Sequence, residues 1–326
     1  MGIFELFQQN IISPPILFFV MGVLSGYLKS DLNVPEQISR YLAIYLMMAI
    51  GFKGGVAIAE TEEITTQIIT TIIAGVVTGF TQPFLGYWLL RKTTKLDCVT
   101  SAAVAAHYGS ISMVTFITAV SFLEANEIFY AAYIVGVLAL MEVPAILTGL
   151  YIANKAEPQN NSREKNIKVT REIFTNGAII LLMGSFAIGW LTGTNGMEKM
   201  HGFLVEPFHG VLAFFLLDMG LLVSRQLHNL KEFNIRLILY GIYMPLIGAF
   251  VGLLISILFK LDLGTGTLLI VLIASASYIA VSAAMRLALP QAKAAIYVPM
   301  SLAITFPFNI LIGIPLYYSL AKMFLV

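Results

Sequence analysis

Two short polar runs interrupt long apolar stretches and hold most of the candidate chemistry of this chain. The first is His107-Tyr108-Gly109-Ser110-Ile111-Ser112-Met113-Val114-Thr115, within a segment from Cys98 to Leu123 that has no acid or base except His107. The second is Ala274-Ser275-Ala276-Ser277-Tyr278, followed by Ser282, inside a charge-free run from Leu263 to Met285. The hydroxyls of Ser110, Ser112, Ser275 and Ser277 can donate to an anion, while Thr115 and Ser282 can offer oxygens to a small hard cation. Each run sits mid-way along a stretch long enough to cross a bilayer, which takes about 20 residues. Small-Ser-x-Ser at such a midpoint predicts a broken helix, whose freed backbone groups must line a cavity rather than face lipid. Half-helix amino ends present unpaired N–H groups and partial positive charge, a ready anion seat. Secondary transporters build midplane sites in this way. The plainer alternative is that these small residues only let helices pack closely.

Other polar groups lie in apolar surroundings. Glu142 stands just before Pro144, which removes a helix hydrogen bond and frees a carbonyl. A carboxylate at mid-bilayer costs about 2.5 kcal/mol or more, so Glu142 should be paired, protonated or coordinating. Cation binding and a hydrogen bond to a broken helix are both open to it. Asn309, two residues after Pro307, is its nearest polar counterpart and is expected to brace a helix break, with cation ligation as its second role. Lys53 and Asp218 are expected to form a structural ion pair, since isolated burial would otherwise cost both. Lys53 could instead snorkel outward. His107 reads as a hydrogen-bonded packing residue before a gate or proton sensor. An intramembrane enzyme using His107 with Glu142 is a rival, but no nucleophile motif, P-loop or metal-spaced cysteine or histidine set accompanies them. No enzyme activity and no cofactor beyond a coupling ion are therefore expected.

The elements that must position these groups follow from composition. Of 326 residues 58% are hydrophobic and only 11% charged, against roughly 25% charged in soluble domains. The fold class expected is an all-α polytopic membrane protein. Ten spans are predicted, near 12–28, 38–59, 64–90, 98–122, 128–153, 173–192, 204–224, 234–259, 264–286 and 295–321. The fourth and ninth would be discontinuous. A charged linker, Asn154–Glu172, divides residues 1–153 from 173–326, five spans to each half. With that linker on the cytoplasmic side, fifteen of the Lys and Arg residues fall inside and three (Lys199, Lys260, Lys322) outside, a strong positive-inside bias. A plasma (inner) membrane location with both termini outside follows. The net charge of +1 and the absence of a basic patch interleaved with aromatics give no reason to expect nucleic acid.

An odd number of spans per half means the halves cross the membrane in opposite senses, so any echo between them marks an inverted repeat. Met48-Ala49-Ile50-Gly51 answers Leu217-Asp218-Met219-Gly220, Gly109–Ser112 answers Ala274–Ser277, and Glu142-Val143-Pro144 answers Thr305-Phe306-Pro307, at offsets of 169, 165 and 163. Gly-x-x-x-Gly spacings at Gly22–Gly26, Gly51–Gly55, Gly75–Gly79, Gly189–Gly193 and Gly248–Gly252 predict close helix packing.

These motifs together resemble the sodium-dependent bicarbonate transporter family known from cyanobacteria (the SbtA type). Ile50–Ile58 is similar to its IGLxGGxAI stretch, Gly109–Thr115 to its GxVSGST, and Met141–Ala145 to its M(D)IPA with Glu for Asp. Ser224-Arg225 matches an SR pair, and from Ser275 through Pro290 to Pro315 the likeness runs without gaps. The resemblance implies a homotrimer. It also implies a gate or scaffold of spans 1, 2, 6 and 7, with an elevator-like core of spans 3–5 and 8–10. Bicarbonate and Na+ would bind where spans 4 and 9 meet. On that basis Gly109, Ser110, Ser112, Ser275, Ser277 and Tyr278 are the candidate substrate-binding residues. Thr115, Ser282, Glu142 and Asn309 are the candidates for the cation. Departures fall on the same places: Tyr278 stands where the family has an acid, Val281-Ser282-Ala283 where it has Gly-Pro-Pro, and Met113-Val114 for Gly-Ser. Another small anion is thus the alternative cargo, and a sodium/proton antiporter or organic-anion symporter the alternative transporter. The family's PII-like regulatory partner is a further implication, against which the short linker speaks.

Overall fold

The structure, a computed structural model, describes residues 3–60, 65–156, 177–227 and 233–326. The predicted linker beyond Ala156, with Arg163, Lys165, Lys168 and Arg171, lies outside the described residues, as does Lys231. Every regular element among the described residues is helical. Seven of these helices are long and apolar enough to cross a membrane, and Pro14–Tyr27 and Leu263–Ile273 are shorter apolar helices. The chain is an all-α polytopic membrane protein.

The chain begins with α1 (Ile3–Ile12) and α2 (Pro14–Tyr27). Ser13, extended, turns the chain between them, and Pro14-Pro15 suit the first turn of α2, where an N–H would lack a partner anyway. Next come α3 (Glu36–Ala59), α4 (Thr66–Thr93), α5 (Cys98–Gly109), α6 (Met113–Ala125) and α7 (Ile134–Ala156). After the linker follow α8 (Gly177–Leu204), α9 (Phe208–Leu227), α10 (Ile235–Leu258), α11 (Leu263–Ile273) and α12 (Ala280–Ala288). The last span starts as α13 (Ala294–Pro299) and ends as α14 (Ile314–Leu325). Between them lie two wide π-helical stretches, Met300–Thr305 and Asn309–Gly313, on either side of Phe306–Phe308. Pro299, Pro307 and Pro315 each lack an N–H, which accounts for a ladder that slips register rather than breaking. Pro144, by contrast, sits inside an uninterrupted α7.

Glycine spacing decides which helices meet. A Cβ on Gly22 would lie 2.2 Å from Leu217 O, and one on Gly220 2.2 Å from Phe19 O, so α2 and α9 approach backbone to backbone. Gly55 would clash with Phe186 O at 1.9 Å and Gly189 with Phe52 O at 2.2 Å, which packs α3 on α8 in the same manner. Gly193 departs from the expected packing role. Its φ of 53° bends α8, and the helix runs on to Leu204 where a loop is expected. Among the other helices, α4 packs against α5 and α7, and α10 against α11. The first and last elements also meet, where Asn10 Nδ2 donates to Ile310 O at 2.8 Å.

Candidate functional site

Both predicted interruptions are present, and they touch. The first helix stops at Gly109 because the chain extends at Ser110 (φ −100°, ψ 172°) and restarts at Met113 under Ser112. Ser112 accepts from Thr115 N at 3.3 Å and from Thr115 Oγ1 at 2.9 Å, an N-cap that satisfies one otherwise orphaned donor. The second helix stops at Ile273 and restarts only at Ala280, leaving Ala274–Ile279 irregular. Ile279 holds the N-cap position of α12 with no side-chain cap and is 54% exposed.

Two hydrogen bonds clasp the breaks together. Ser112 N donates to Ser275 Oγ at 2.8 Å, and Ser277 N donates to His107 O at 2.9 Å. Ser275 passes its own hydrogen to Leu272 O at 2.9 Å. Its hydroxyl is thereby spent on the clasp. Ser112 gives its hydroxyl hydrogen to the Tyr278 oxygen, whereas Ser277 makes no side-chain donation among the described residues and keeps a hydrogen to give. Ser110 goes further: its hydroxyl is buried at 1% exposure and meets no partner among the described residues. Such an orphan costs about 1–3 kcal/mol if nothing fills the place beside it. Gly109 is required for close approach, since a Cβ there would lie 2.3 Å from Pro83 Cγ.

The carboxyl ends of the broken helices are held by amide side chains. Gln82 on α4 donates through Nε2 to Tyr108 O at 2.6 Å and to Ile273 O at 2.9 Å, reaching both interruptions at once. Asn309 Nδ2 donates to Ala274 O at 3.0 Å, while its Oδ1 accepts from Tyr317 at 2.8 Å. Asn309 is therefore a brace for the break, with both ends of its amide occupied. Gln82 is absent from the sequence expectations because one glutamine in an apolar span carries no pattern of its own. A signal does exist: Gly79-x3-Pro83-x2-Gly86 recurs as Gly241-x3-Pro245-x2-Gly248 at a constant offset of 162, with Gln82 and Met244 before the two prolines.

The other predicted residues divide. His107 is fully buried; its Nδ1 meets Ala103 O at 2.7 Å and its Nε2 meets Ser282 Oγ at 2.9 Å. A carbonyl can only accept, so Nδ1 carries the hydrogen and Ser282 donates to Nε2. The ring also lies 4.6 Å from that of Tyr297, tilted by 31°. His107 and Ser282 thus tie the first broken helix to α12, and neither is paired with Glu142. Glu142 is buried on α7 at 5% exposure, and its carboxylate has no hydrogen-bonding partner among the described residues. Tyr278 packs its ring on Phe306 at 5.5 Å and turns its hydroxyl toward Met219 Sδ at 3.7 Å.

The expected ion pair between Lys53 and Asp218 is not formed. Lys53 Nζ binds Glu124 Oε1 at 2.7 Å and lies 4.8 Å above the Phe208 ring, while Asp218 accepts from the Ser39 hydroxyl. The reason is reach. Lys53 lies in the last two turns of α3 and extends toward the last turn of α6, where Glu124 lies beside His209.

Among the described residues no three His, Cys, Asp or Glu side chains converge as metal ligands. A cation at the breaks would rest on neutral oxygens, such as Thr115 Oγ1, which suits a hard monovalent ion better than a transition metal. Residues 14–322 match the family model described as the Na+-dependent bicarbonate transporter superfamily. No curated protein matches the chain.

Proposed function

The chain belongs to the Na+-dependent bicarbonate transporter superfamily, and within it we propose a secondary active symporter that moves a small anion, bicarbonate first, with Na+. The clasped breaks carry this reading. Ser110 and Ser277 offer hydroxyl hydrogens, and the start of α12, beyond the Val281 N–H that Ser277 Oγ accepts, offers N–H groups and partial positive charge to the same anion. Na+ would use Thr115 and backbone carbonyls, with Glu142 a further candidate. Neither ion alone is stable in so apolar a place, but together they neutralise each other. Binding of one therefore favours the other, which is the physical content of coupling.

The recurring Gly-x3-Pro-x2-Gly frame and the two facing breaks support a ten-span inverted repeat of five plus five. The tight pairs α2 with α9 and α3 with α8 suit a scaffold of spans 1, 2, 6 and 7, and the remaining spans suit a core that moves as an elevator. A homotrimer in the plasma membrane belongs to the same reading. The second reading is a sodium/proton antiporter, favoured by the buried Glu142 carboxylate, which has no hydrogen-bonding partner among the described residues.

Uptake of labelled bicarbonate into proteoliposomes separates them. Uptake stimulated by an inward sodium gradient, at constant internal pH, is expected of the symporter. Sodium-driven proton efflux without bicarbonate uptake would favour the antiporter.

A further inference from the structure

The carboxyl ends of broken helices carry partial negative charge, and transporters commonly seat coupling cations on them. In this chain two such ends, at Tyr108 and Ile273, converge on a single nitrogen. Gln82 Nε2 lies 2.6 Å from one carbonyl oxygen and 2.9 Å from the other. A primary amide has two N–H donors in a fixed fork, so one side chain satisfies both carbonyls. The third carbonyl of the group, Ala274 O, is taken by Asn309 in the same way. Met244, the residue that precedes the proline in the second Gly-x3-Pro-x2-Gly frame, has no donor to give. Gln82 alone therefore serves both interruptions.

We propose that Gln82 is a tethered stand-in for a cation: its amide fills the seat between the two helix ends that a free ion would otherwise occupy, and so sets how many cations the site requires. The proposal rests on the transport reading for its consequence, the sodium count, but not for its geometry. It makes the sign of the charge at position 82 decisive. Gln82→Lys keeps a positive group between the carbonyls, Gln82→Met removes it, and Gln82→Glu replaces it with a group that repels them unless a cation enters.

The test is thermal unfolding of the purified full-length variants in choline chloride against sodium chloride, paired with sodium dependence of uptake. In choline, Q82K should unfold nearest the wild type, Q82M lower and Q82E lowest. Added sodium should restore Q82E along a slope steeper than that of the wild type by about one bound ion, and should leave the slope of Q82K at the wild-type value. Equal instability of Q82K and Q82E, or a Q82E slope no steeper than the wild type, would overturn the assignment. Should Q82E not fold, Q82K against Q82M decides alone: Q82K no more stable than Q82M rejects the stand-in. A wild type indifferent to sodium beside a Q82E that responds would count against symport while upholding the role of Gln82.

Discussion

The two interruptions do the same topological job with different chemistry. The first is short, from Ser110 to Ser112, and closed on itself: Ser112 caps α6, Thr115 reinforces the cap, and Pro83 fills the space beside Gly109. The second runs from Ala274 to Ile279, has an N-cap residue, Ile279, that caps nothing and is half-exposed, and bonds the first turn of α12 through one long contact, Val281 N to Ser277 Oγ at 3.5 Å. Its order is borrowed. Ser275, Ser277 and Ser282 are each tied to Ser112 or His107 of the first break, and Ala274 is tied to Asn309. A rigid half and a dependent half make a site that can be both preorganised and adjustable. The first break holds the orphan Ser110 hydroxyl and the second the Ser277 hydroxyl and the start of α12, so an anion would draw on both.

The largest effects should come from adding a Cβ under either break. In Gly248→Ala the new atom would lie 2.3 Å from Ile273 O, a backbone atom that Gln82 also holds. In Gly109→Ala it would meet the Pro83 ring at 2.3 Å. Each should lower stability by about 1–3 kcal/mol and abolish uptake. Gly248→Ala should be the worse of the two in thermal unfolding, because a carbonyl cannot turn aside as a ring can. Equal tolerance of both would show that the breaks are looser than described.

Removing hydroxyls sharpens the contrast. Ser275→Ala leaves the buried Ser112 N–H without its acceptor, a loss of about 1–3 kcal/mol. Ser112→Ala removes an N-cap, worth about 1 kcal/mol. The residue of the dependent break should thus cost more than that of the rigid one, as measured by unfolding of both single variants and the double. The clasp uses the backbone N–H of Ser112, which Ser112→Ala keeps, so the Ser275→Ala loss should be about the same in either background; a loss that vanishes in the Ser112→Ala background would contradict the clasp.

Ser110→Ala should act on affinity instead. Its hydroxyl bonds nothing among the described residues, so stability without the anion should hold or rise, by up to about 1–3 kcal/mol. The KM for the anion should rise roughly tenfold, the value of one hydrogen bond to a charged ligand. An unchanged KM would make Ser110 a spacer.

Much of this frame is legible in the sequence, and the exceptions have identifiable causes. Gly109–Ser112 and Ser275–Ser277 announce themselves because hydroxyls and glycine are out of place in the middle of an apolar run. The packing of Gly22, Gly51, Gly55 and Gly189 is legible for the same reason: small residues four apart have few other uses in a membrane helix. Gln82 is not, because a single long polar side chain gives no spacing to read and its partners are 26 and 191 residues away. The choice of Glu124 over Asp218 by Lys53 is equally hidden. It depends on where a flexible stem points, and the packing of the last turn of α6 brings Glu124 closer than any pattern in the sequence shows. The π-helical turns around Pro307 arise from three prolines acting together in one span, where each proline alone predicts a simple break.

The smallest effect belongs to that ion pair. Lys53 and Glu124 are about a quarter exposed, so Glu124→Gln should cost only about 0.2–1 kcal/mol. The loss should shrink further in high salt when measured by unfolding. A larger, salt-independent loss would mean that the pair holds the scaffold to the rest of the molecule.

The site itself is tested most directly by a reporter at its open edge. With Cys98 replaced by serine, a cysteine at Ile279 provides one reactive thiol beside the uncapped start of α12. Its rate of modification by a hydrophilic reagent should fall when bicarbonate and Na+ are added together, and should change little with either alone. A rate indifferent to both solutes, in protein that still takes up bicarbonate, would place the ions somewhere other than the clasped breaks.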